Sequence, residues 1–94
     1  MAVTTLQVTL SGKTRISATK QYARWITFQN NAAAVMRVGD VNTSSSRGIS
    51  LTSGGSNFTP PLGDVSSLSD LSQWYVVGTD TQILDVVYDS VATP

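Results

Sequence analysis

The chain's only acidic side chains are six aspartates, Asp40, Asp64, Asp70, Asp80, Asp85 and Asp89. Carboxylates hold calcium, and in facing pairs they carry acid–base chemistry on glycosides. Asp40 and Asn42 make an Asp-x-Asn spacing, and Asp85 and Asp89 stand four apart near the end of an expected strand. Calcium takes about six to eight oxygens, commonly several from one loop. Asp40-Val41-Asn42-Thr43-Ser44 offers too little charge for that, and no Gly or Glu follows at the spacing of a helix-loop-helix calcium site. These aspartates are expected to cap turns and keep the surface soluble, with no metal bound. Ser44-Ser45-Ser46-Arg47 sets hydroxyls beside a guanidinium, as a phosphate site would, but no Gly-rich strand-to-helix turn accompanies it. It reads as a flexible loop whose Arg47 can meet an acidic partner. Trp25, Trp74, Tyr22 and Tyr75 can stack on sugar rings, pack in the core or meet another subunit. Trp25, Arg47, Phe58, Trp74 and Tyr75 are the candidate partner contacts; no residue is expected to be catalytic or to hold a cofactor.

The missing residue types narrow the field further. The sequence has no His, no Cys and no Glu. Neither a Ser-His-Asp nor a Cys-His arrangement can be written on it, and no disulfide or cysteine zinc site can form. A small enzyme would have to rely on aspartates alone, which is the weakest of the readings. Lys plus Arg number 6 against 6 acids, so the net charge of zero lacks the footprint of a nucleic-acid binder. The N-terminus has no basic region followed by a continuous apolar run, and apolar runs reach about four residues, far short of a membrane span. The chain is expected to be made in the cytoplasm without membrane contact.

The elements that must position these side chains are strands. Ser and Thr number 25 of 94 residues and Val 11, a composition rich in hydroxyl and β-branched side chains. Apolar residues recur at period two in short bursts bounded by Gly, Asn, Asp, Ser and Pro. Strands are expected at 3–10, with Leu6, Val8 and Leu10 on one face, and at 14–17 around Ile16. Residues 22–30 form the clearest strand, with Ile26 and Phe28 opposite Trp25 and Thr27. Asn30-Asn31 then turns the chain so that 35–39 returns as its hairpin partner. An uncommitted polar loop follows at 40–47, then short strands at 48–51, with Ile49 and Leu51 inward, and at 57–59. Residues 62–72 carry Leu62, Val65, Leu68 and Leu71 at roughly three-residue spacing, either a helical turn or a loop across the sheets' open end. A last hairpin joins 73–78 to 82–89, and 90–94 is a loose tail.

About eight strands with turns every eight to twelve residues imply a single all-β domain over 1–94, a compact antiparallel β-sandwich or jelly roll. Surface scaling gives such a monomer roughly 5,200 Å² of exposed area, against about 14,500 Å² unfolded. The amphipathic strand at 1–10 can complete its own sheet or act as an arm that adds to another chain. With so modest a core, association would supply further buried area.

Several stretches taken together carry a resemblance. They are Trp25-Ile26-Thr27-Phe28-Gln29-Asn30-Asn31, Val35-Met36-Arg37-Val38-Gly39-Asp40 and Ser44-Ser45-Ser46-Arg47-Gly48-Ile49-Ser50-Leu51. Ser53-Gly54-Gly55-Ser56 follows, and Trp74-Tyr75-Val76-Val77-Gly78-Thr79 leads to Leu84-Asp85-Val86-Val87-Tyr88. Over residues 22–88 this order resembles small β-sandwich accessory proteins of tailed bacteriophages, which decorate capsids or form head fibres. The resemblance implies a non-enzymatic virion protein on the capsid surface with the major capsid protein as partner, and it favours a homo-oligomer, most simply a trimer. The alternative is a fibre or tail module that holds host-surface glycans through Trp25, Trp74 or Tyr75.

Overall fold

The protein is described here by a computed structural model covering residues 2–60 and 69–91. Among these residues the elements are β1 (Ala2–Thr9), β2 (Thr14–Arg15), β3 (Tyr22–Asn30), β4 (Met36–Gly39), β5 (Ile49–Leu51), β6 (Ser56–Phe58) and β7 (Ser69–Asp70), then a 3-10 turn (Leu71–Gln73), β8 (Tyr75–Val77) and β9 (Ile83–Val91). One sheet runs β1-β9-β3-β6, with β7 also on β3; the other runs β2-β8-β4-β5. We call them the β9 sheet and the β8 sheet.

The antiparallel pairings are nested: β1 with β9, β2 with β8, β3 with β6 and β4 with β5. The chain is one long hairpin with its tip between β4 and β5. It is rolled so that successive rungs fall in alternate sheets, and the β3–β9 and β4–β8 pairings close the roll. This is the strand order of a jelly roll, an all-β sandwich as the composition predicts.

Period-two alternation then fills the space between the sheets. Val8, Ile26, Phe28, Leu84 and Val86 are buried from one side, and Met36, Val38, Leu51 and Val76 from the other. Each such side chain contributes about 1.5–3 kcal/mol on burial. Trp74 reaches the same core, its ring centroid 5.1 Å from that of Phe28. The exposed area of 5301 Å² matches the scaling for a closed monomer, and β1 completes its own sheet along residues 2–9.

Two expected hairpins are replaced by crossings between sheets. Residues 35–39 do not return beside β3: β3 lies in the β9 sheet, and β4 pairs with β5 and β8. The buried Asn30 amide redirects the chain. Its Nδ2 donates to the Ala34 carbonyl at 2.8 Å and to the Leu51 carbonyl at 2.9 Å, while Oδ1 accepts from the Ala32 N–H at 2.9 Å. The segment 73–78 likewise does not pair with 82–89, because β8 and β9 belong to different sheets. A Cβ at Gly78 would lie 2.7 Å from Leu10 Cδ2 and 3.0 Å from Met36 Cγ, so a glycine carries the chain over this edge of the core.

Smaller differences follow the same logic. Ile49 stands opposite Val38, yet it is 46% exposed because β5 is a short edge strand. In the expected strand 14–17 only Thr14–Arg15 joins a ladder, and the buried Ile16 continues it by donating its N–H to the Trp74 carbonyl. Ser90 and Val91 are not tail but the end of β9, paired with Ala23 and Tyr22. Leu62, Val65 and Leu68 lie outside the described residues, as do 92–94, while Leu71 opens the 3-10 turn.

Asn30→Ala would remove three hydrogen bonds from a fully buried position. It should cost about 2–4 kcal/mol, seen as a lower urea midpoint with an unchanged slope.

Candidate binding surface

Alternation along β8 and β4 turns Val76 and Val38 inward and sends Tyr75, Val77 and Arg37 to the outer face. The register sets Tyr75 between Arg15 on β2 and Gly39 on β4. Lys13 Nζ lies 5.8 Å and the Arg15 guanidinium 6.0 Å from the Tyr75 ring centroid, within cation–π range. Lys13 also donates to the Val41 carbonyl, and Arg15 Nε donates to the Ser72 carbonyl at 2.7 Å. Arg37 donates to the carbonyls of Ser45 and Gly48 at 3.2 and 2.9 Å. These three cations are anchored by backbone carbonyls, which leaves their positive charge available on the outer side of the β8 sheet.

Arg37 also settles the serine segment. Ser44 and Arg47 exchange backbone hydrogen bonds of 3.0 and 3.3 Å, so 44–47 is a tight turn pinned to the β8 sheet and not an uncommitted loop. Its amides do not form a phosphate cradle, and Arg47 stands exposed at the end of the same sheet. Four of the chain's 6 cations, Lys13, Arg15, Arg37 and Arg47, thus belong to this side.

Two shallow clefts border the face. One of about 460 Å³ is lined, among the described residues, by Gly39, Asp40, Ser69, Asp70, Gln73 and Trp74. A second of about 370 Å³ shares Asp40 and Gln73 and reaches Arg15 and Tyr75. The carboxylates here serve the backbone. Asp40 accepts from the Asn42 N–H at 2.9 Å, closing a turn. Asp70 Oδ1 accepts from the Ser72 N–H and hydroxyl at 2.9 and 2.8 Å and from the Gln21 N–H at 3.2 Å, capping the 3-10 turn. Burial works to raise the Asp70 carboxyl, but these hydrogen bonds and the Lys20 charge outweigh it and hold the group below the ordinary carboxylate range.

The five candidate contacts do not converge. Tyr75 and Arg47 belong to the β8-sheet side. Trp25, 38% exposed, lies on the opposite outer face, at a register shift where it and Arg24 face Asp89 alone. Phe58 is half-buried against the core beside Phe28. Trp74 is half-buried, its Nε1 donating to Ser69 Oγ at 2.9 Å. Asp85 and Asp89 stand four residues apart along β9, about 13 Å, too far to share one ion. Asp89 is 1% exposed, so it is buried in the fold and does not serve the surface as the sequence suggests. Asp85 instead accepts from Gln7 Nε2 at 3.0 Å and Asn31 Nδ2 at 2.9 Å. Among the described residues no group of three His, Cys, Asp or Glu side chains could hold a metal. The cationic residues Lys13, Arg15 and Arg37 escaped the sequence because only strand pairing brings them to one sheet, Lys13 and Arg15 beside Tyr75 and Arg37 opposite Val77.

A carboxyl whose folded pKa is depressed stabilises the fold above its unfolded value of about 4, and that contribution is lost as pH falls through the folded value. Asp70→Asn should therefore flatten the acid limb of stability, measured as urea midpoints between about pH 2 and 5. Comparison with protein families, with curated proteins and with solved structures finds no match to this chain.

Proposed function

We propose that this chain is a non-enzymatic structural protein of a bacteriophage virion, binding the capsid exterior and reinforcing it. The cationic face at Tyr75 is the observation that carries the reading, since it offers an aromatic anchor flanked by the fixed charges of Lys13 and Arg15. Aromatic and arginine side chains dominate the energetics of protein interfaces, and positive charge steers a subunit toward an acidic surface. The resemblance over residues 22–88 supplies the virion setting. Its mechanism is mechanical: the sandwich bridges neighbouring capsid subunits and raises the barrier to their separation. Repeated attachment over the shell makes weak single contacts effective. The partner is the major capsid protein, and the protein resides on the virion surface after synthesis in the host cytoplasm.

A glycan-binding module is the second reading, favoured by the cleft that sets Asp40 and Gln73 beside Trp74. Carboxylate and amide groups next to an aromatic ring suit sugar hydroxyls.

Co-sedimentation with capsids stripped of accessory proteins separates the two. Saturable pelleting is expected at low salt and, more weakly, at high salt, with Lys13→Glu plus Arg15→Glu reducing affinity by about tenfold or more. Absence of pelleting in both conditions contradicts the capsid reading, and glycan binding that is lost in Trp74→Ala would support its rival.

A further inference from the structure

The β9 sheet ends in an edge unlike every other edge of the sandwich. β2 and β7 have two residues each, and β5 and β6 three. β1 has eight, Ala-Val-Thr-Thr-Leu-Gln-Val-Thr, and its register with β9 is unbroken from Ala2 to Thr9. Among the described residues no strand lies along its other side. Proteins protect such edges with charge, proline, bulges or brevity. β1 has none of these.

Its open side has a definite pattern. The Leu10 N–H donates to the Gln82 carbonyl at 2.9 Å, continuing the β1–β9 ladder. The N–H and C=O of one residue leave a strand on the same side, and successive residues alternate. Even-numbered residues therefore bond toward β9, and Val3, Thr5, Gln7 and Thr9 turn their backbone groups to the open edge. Side chains obey a second alternation. Val8 and Leu10 are buried and Leu6 packs against the core, while Val3, Thr5, Gln7 and Thr9 lie on the outer face.

We propose that two copies of this chain join edge to edge through β1, antiparallel, about a twofold axis at Leu6. An axis between two residues would set an inward side chain opposite an outward one, so the axis must pass through a residue. At Leu6 the open backbone groups match in full. Val3 meets Thr9 and Thr5 meets Gln7 of the second copy, each twice, giving about eight inter-chain hydrogen bonds. Leu6 meets its own counterpart at the closest type of antiparallel contact and gains the cover that a lone edge strand denies it. The strand is uncharged, so self-pairing sets no like charges together, and Val3, 65% exposed, is covered by the second copy's Thr9. The dimer stands independently of the capsid reading and differs from the trimer that the virion resemblance favours.

Sedimentation of the full chain at about 100 µM tests it, with Thr5→Pro as the discriminating variant. The Thr5 N–H faces the open edge, so proline there removes an inter-chain donor and leaves the β1–β9 ladder intact. The wild type should sediment at twice its 10.0 kDa, and Thr5→Pro should weaken association by about a hundredfold with an unchanged circular-dichroism spectrum. Since the chain has no cysteine, Leu6→Cys gives an independent readout, and oxidation should yield a covalent dimer. A monomeric wild type, a three-chain assembly, or an oligomer that survives Thr5→Pro and fails to cross-link through Leu6→Cys overturns the proposal.

Discussion

The buried amide of Asn30 is the constraint on which the rest of the sandwich depends. It ends β3 in one sheet and grips the Leu51 carbonyl of β5 in the other, so a single side chain fixes how the sheets meet. All three of its hydrogen bonds replace bonds to water, which a fully buried amide must do to avoid a large desolvation penalty. With β3 prevented from folding back on β4, its free edge goes to β9 and β6, and β4 takes β5 and β8. The nested order, and with it the placement of every outward side chain, follows from that crossing.

The two outer faces differ in consequence. On the β9 sheet, Gln7, Asp85, Asn31, Gln29 and the Gly55 carbonyl form a continuous chain of hydrogen bonds across strands, a polar surface that satisfies itself. On the β8 sheet the cations turn their donors to carbonyls, and Lys13 and Arg15 keep their charge beside an aromatic ring. A self-satisfied surface gains little from a charged partner, whereas one that carries exposed cations is drawn to an acidic surface it meets.

Much of the fold was legible in the sequence because alternation is a local property. The limits of β3 and the inward set Ile26, Phe28, Met36 and Val38 follow from period-two patterning alone. The two hairpins failed for a different reason. Asn30-Asn31 and Gly78-Thr79-Asp80-Thr81 are sound turn sequences, but turn chemistry does not reveal whether the chain stays in its sheet or leaves it. That choice rests on a contact between residues 21 positions apart, Asn30 with Leu51, and on the space at Gly78 beside Leu10 and Met36. The binding surface was legible only in part. Tyr75 and Arg47 were recognised by type, but Lys13, Arg15 and Arg37 join them through pairings that no single segment encodes.

Hydroxyl-radical footprinting of the chain, free and on capsids, tests the central claim most directly, because the two outer faces each carry an oxidisable aromatic. The account predicts that capsid binding lowers oxidation of Tyr75 several-fold while Trp25 on the opposite face is unchanged. Protection of Trp25 with Tyr75 still reactive would contradict it.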